Sequence, residues 1–126
     1  MIPSTQARVL VAVAALVLIA TAVYHATAYT EVTSAVAVPG ISRFFRRALP
    51  GLWFFLSWHL LELAAAASWA ALRGVPSARP LVIFCGAVMA ADTAFIFSLA
   101  GVFPGTLMLA AAAVCLVVGA LRWPAP

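Results

Sequence analysis

The stretch 52-LWFFLSWHLLELAAAASWAAL-72 decides the fold class. It runs for 21 residues with only His59 and Glu62 as ionisable groups, and about 20 apolar residues suffice to cross a bilayer's hydrocarbon core as a helix. His59 and Glu62 stand three positions apart, roughly 60° around a helix, and so share a face. An ionisable side chain midway through a membrane helix costs roughly 2.5–3.5 kcal/mol on insertion scales. Each therefore needs a partner or a task.

The rest of the chain agrees with a membrane setting. Its 126 residues are 67% hydrophobic and 8% charged, with a mean hydropathy of +1.17. A soluble domain carries about 25% charged residues, so most of this surface must face lipid. The composition points to one membrane domain over residues 1–126, with no room for a soluble catalytic domain or a nucleic-acid-binding surface. The net charge of +4 comes from arginine alone, since there is no lysine; it reads as membrane-flanking anchors. Arginine and alanine in this proportion suit a GC-rich bacterial genome and hence an inner-membrane location. Cys85 and Cys115 fall inside apolar runs and read as small buried hydrophobes.

Four spans are expected, near 9–29, 52–72, 81–100 and 103–121, in an all-α up-and-down bundle joined by short connections. Arg8 and the Ala26-Thr27-Ala28 run also mimic a secretory signal with its cleavage site, but the apolar stretch outlasts the usual signal core and three more spans follow. Residues 31–40 read as a loop closing on Pro39-Gly40. Residues 42–49, with Arg43, Arg46 and Arg47 to one side of Phe44 and Phe45, read as a short helix lying in the headgroup layer. This segment is expected to be a generic interfacial anchor rather than a specific binding site for an anionic lipid, and Pro50 to open the next helix. Trp53, Trp69 and Arg122-Trp123 read as interfacial anchors. Arg8, Arg73, Arg79 and Arg122 flank one side and Arg43, Arg46 and Arg47 the other, a poor bias for orientation; the free N-terminal amine and the more usual placement of termini favour both lying inside.

Small residues recur every four positions at Gly86, Ala90, Ala94 and Ser98, and again at Ala111, Cys115 and Gly119. Such stripes let helix backbones approach in lipid, so the third and fourth spans are expected to pack through them. Asp92 then points away from the fourth span.

Depth counting at about 1.5 Å per residue places Glu62 and Asp92 near the midplane, His59 slightly to one side and His25 further out. His25, His59, Glu62 and Asp92 thus form a candidate polar column, with Thr21 and Tyr24 beside it. The plainest role for it is polar glue between helices, or a surface for another membrane protein or a second copy. The chain is then a non-enzymatic membrane component. The alternatives are a metal site, bis-histidine haem ligation by His25 and His59, proton or ion handling, and proton transfer on a lipid substrate. A di-iron bundle needs two Glu-x-x-His motifs, and the chain has one such pairing in reversed order; no metal or cofactor is assigned. Nucleophile elbows, phosphate loops and cysteine–metal spacings are absent from the sequence. The four-span layout, with Trp58-His59 in the second span, resembles that of small uncharacterised membrane proteins of GC-rich bacteria. That resemblance implies a membrane location and no particular activity.

Overall fold

The computed structural model describes residues 2–125. Its helices are α1 (Thr5–Thr27), α2 (Tyr29–Ala35), α3 (Arg43–Arg73), α4 (Arg79–Ala100) and α5 (Pro104–Leu121), with a 3-10 turn at Pro76–Ala78 before α4. No strand occurs among the described residues. Four stretches, Thr5–Ala35, Arg43–Arg73, Pro76–Ala100 and Pro104–Leu121, are long and apolar enough to cross a membrane.

Helix α1 presents Ala7, Val11, Ala14, Leu18 and Thr21 inward at alternating steps of four and three, the spacing of one helix face. Helix α5 answers with Leu109, Ala112, Leu116 and Gly119. Broad contacts join α1 to α3, α1 to α5 and α4 to α5, whereas α3 and α4 meet along a thin seam. The core is mostly alanine, with Leu18, Leu60, Met89 and Leu116 as its largest fully buried aliphatic side chains.

Two local predictions change. The expected loop after residue 30 is partly helical, as α2. The first helix breaks at Ala28 because the His25 carbonyl, which a continuing helix would pair with the Tyr29 N–H, accepts instead from the Trp53 indole at 2.9 Å and the Ala28 N–H at 3.3 Å. A side chain inserted into the backbone ladder is a recognised cause of such breaks. Residues 42–49 are also not a separate interfacial helix. Ser42 caps a single helix of 31 residues that carries Pro50 inside it. Proline removes only the bond to the Arg46 carbonyl, a loss that membrane helices commonly absorb.

The small-residue stripes do only part of the expected packing. Gly86 meets α5, where an added Cβ would lie 3.3 Å from Val117 Cγ2. Ala90, Ala94 and Ser98 are exposed, and so is Ala111. Steps of four residues drift by about 40° each, so Ser98 lies roughly 120° around α4 from Gly86. The two helices part there and leave an open groove of about 470 Å³ that includes Ala90, Ala94 and Thr106. Gly119 faces α1 instead, where a Cβ would stand 2.8 Å from Val11 Cγ2.

One end of the bundle is closely tied. Gly74 ends α3 in the left-handed region at φ 57°, its N–H bonded to the Ala70 carbonyl, as helix termini often require of glycine. Arg8 crosses this glycine and donates to the carbonyls of Ala71 (2.8 Å) and Leu72 (3.3 Å). Trp123 is 2% exposed and its indole donates to the Val75 carbonyl at 2.9 Å. Its expected role as an interfacial anchor is thereby replaced by one within the protein.

Candidate functional site

The four candidate ionisable residues do not form one column. They separate into three pairs around α3. His25 Nδ1 lies 2.9 Å from Ser57 Oγ, and its ring stacks on Trp53 with centroids 4.0 Å apart. Since Trp53 also donates to the His25 carbonyl, this histidine is held on both its backbone and its ring. Ser57 and His59 are two residues apart, about 200° around the helix. The α1 histidine is therefore committed to one flank of α3 while His59 occupies the other. Convergence of His25 and His59 on one haem iron is incompatible with this placement.

Of the four residues in the expected column, only His59 and Asp92 meet. His59 Nε2 lies 3.1 Å from Asp92 Oδ2 across the thin seam between α3 and α4. Their side chains are 29% and 30% exposed, so the pair is accessible from the bundle's exterior. A neutral imidazole protonated at Nε2 donates to the carboxylate, and a protonated ring makes an ion pair. Either state satisfies the contact. Asp92, expected to point away from the fourth span, contacts α3 through this pair.

Glu62 takes a third direction. It is exposed, and its Oε1 accepts a bond of 2.7 Å from the indole of Trp58, itself 55% exposed. Indole is a donor only, which fixes the sense of that bond. No described residue reaches the other carboxylate oxygen within hydrogen-bonding range. Thr21 is buried, but its hydroxyl donates back to the Val17 carbonyl and takes no part in these pairs. Tyr24 is exposed.

Among the described residues no group of three or more histidine, cysteine, aspartate or glutamate side chains could hold a metal ion. The arrangement offers one partly exposed His–carboxylate pair, able to share a proton, and beside it on α3 an outward-facing carboxylate. Sequence reasoning missed three of the partners. Trp58 and Glu62 are four apart and so carry a local signal for pairing. Ser57 and Trp53 carry none, because their bonds to His25 depend on how α1 is rotated against α3.

Phe55, Glu62 and Trp69 follow at intervals of seven, so they stack along one stripe of α3; Glu62 and Trp69 are exposed, as is Phe55 at 64%. Comparison of the chain with protein-family models, with curated proteins and with solved structures returned no match.

Proposed function

We propose that this chain is a non-enzymatic component of a bacterial inner membrane. In this reading it is an up-and-down four-span bundle with both termini cytoplasmic, and it docks to a second copy of itself through the stripe Phe55–Glu62–Trp69. The observation that carries the reading is the position of Glu62. It projects outward about halfway along the apolar part of α3, with only the Trp58 indole as partner. A carboxyl group left against hydrocarbon there is costly, and a twofold contact relieves the cost. Each Glu62 would supply a donor or acceptor to its mate, since a protonated carboxyl does both. Aromatic neighbours such as Phe55 and Trp58 give the interface its packing area.

Light scattering of the purified chain in mild detergent tests this. The wild type is expected at twice the monomer mass, and Glu62→Leu, which suits lipid better, at the monomer mass with its helicity unchanged. A monomeric wild type in lipid nanodiscs, or a Glu62→Leu chain that still pairs, would overturn the reading. A constant complex with another protein would show that a different partner occupies the stripe.

The His59–Asp92 pair favours a second reading, a proton-handling subunit. Under it, His59→Gln and Asp92→Asn would abolish proton flux into vesicles while leaving association intact.

A further inference from the structure

We infer that Arg43 and Arg47 form a binding site for the headgroup of an anionic phospholipid, and that Arg46 is not part of it. This inference rests on the membrane-embedded reading but not on the proposed dimer. The three arginines look equivalent in sequence, yet the structure separates them. Arg46 folds back and donates to the carbonyls of Val38 (3.4 Å) and Ile41 (3.2 Å), closing the preceding loop. Arg43 and Arg47 are four residues apart and so share a face. Both are exposed and neither forms a salt bridge with a described carboxylate. With Phe44 and Ala48 they line an open recess of about 600 Å³.

The height of this pair suits a lipid phosphate. Helix α3 has 31 residues, about 46 Å at 1.5 Å per residue, against about 30 Å of hydrocarbon and 40–45 Å with the headgroups included. Arg47 and Arg73 are 26 residues apart, about 39 Å along the axis, which sets them at opposite headgroup layers. Below the pair, Arg47, Phe54 and Leu61 repeat every seven residues on one face. Phe54 and Leu61 are 58% and 41% exposed. A lipid with its phosphate between the guanidinium groups can therefore lay its acyl chains along this track. The track runs about 100° around α3 from the Phe55–Glu62–Trp69 stripe, so the lipid and a second copy need not compete.

Guanidinium groups pair with phosphate oxygens by charge-assisted, often bidentate hydrogen bonds. A basic residue near an anionic membrane surface contributes about 1 kcal/mol, equivalent to roughly five-fold in preference for each arginine. The test is native mass spectrometry of the full chain released from nanodiscs of phosphatidylcholine mixed with phosphatidylglycerol. The wild type should retain phosphatidylglycerol in preference to phosphatidylcholine. Arg43→Gln and Arg47→Gln should each lower that preference roughly five-fold, the double variant should abolish it, and Arg46→Gln should leave it unchanged. Arg43→Lys and Arg47→Lys should keep the part of it that depends on charge and lose the bidentate part, which separates loss of charge from loss of fold. A double glutamine variant with wild-type preference would overturn the site, as would equal losses from Arg46→Gln and Arg43→Gln. Glycerol phosphate that displaces the bound lipid at equal concentration would overturn the assignment to a lipid, because the acyl track would then contribute nothing.

Discussion

The two ends of the bundle use the same residue type in opposite ways. At the end that holds the 74–79 turn, arginine meets the carboxyl ends of helices. Arg8 takes two carbonyls at the end of α3, Arg79 lies 3.5 Å from the Ala120 carbonyl at the end of α5, and Arg122 bonds Gln6. Helix C-termini leave carbonyls unsatisfied and carry the negative end of the dipole, which supplies acceptors to Arg8 and Arg79; Arg122 uses the Gln6 side chain instead, and Arg73 alone at this end bonds no described residue. At the other end, three arginines crowd the first turns of α3, which holds no acidic residue in its first turn. The dipole there is positive. Arg46 alone finds carbonyls, and Arg43 and Arg47 project outward. The contrast teaches that arginine count, which nearly balances across the two ends, is a poor guide to role. Position relative to helix polarity distinguishes a clamp from a surface available to an anion.

Substitutions at the two ends should therefore differ in stability cost, measured by denaturant unfolding of the detergent-solubilised chain. The largest loss is expected for Trp123→Ala, about 3–5 kcal/mol as for other buried aromatics, because the side chain fills the tied end and bonds Val75. A loss below about 1 kcal/mol would show that end to be no tighter than the other. Gly119→Leu should cost about 2–3 kcal/mol by overpacking, since even a Cβ meets Val11 at 2.8 Å. Gly74→Ala should cost about 1–2 kcal/mol. Its φ of 57° is unfavourable for a side chain, and a Cβ would stand 3.0 Å from Arg8 Nε. At the open end, Ala94→Leu should change stability by no more than about 0.5 kcal/mol. Ala94 borders the groove between α4 and α5 and is exposed, so a large loss would mean the two helices close there.

Much of the architecture is legible in the sequence because apolar runs of this length have few alternatives. The four stretches and the similar heights of His59 and Asp92 follow from counting along helices. What counting cannot supply is rotation. The column proposed for His25, His59, Glu62 and Asp92 treated height as proximity, whereas α3 presents Ser57, Glu62 and His59 to different neighbours. The break at Ala28 has a similar origin, since it depends on the Trp53 indole reaching a carbonyl 28 positions earlier in the chain. Pro50 misled for a local reason: its fixed backbone angle suits a helix start, but a helix already capped at Ser42 runs through it. The α4 stripe failed because a four-residue period drifts around a helix.

The proposed docking of two copies through the outer stripe of α3 is tested most directly by oxidative cross-linking in native membranes. Cys85 and Cys115, both free, are first replaced by alanine, and a single cysteine is then placed at Phe55 on the stripe or at Val114 on the exposed face of α5. The account predicts a disulfide-linked dimer from Phe55→Cys, lost when Glu62→Leu is added, and no dimer from Val114→Cys. Phe55→Cys remaining monomeric, or linking no better than Val114→Cys, would contradict it.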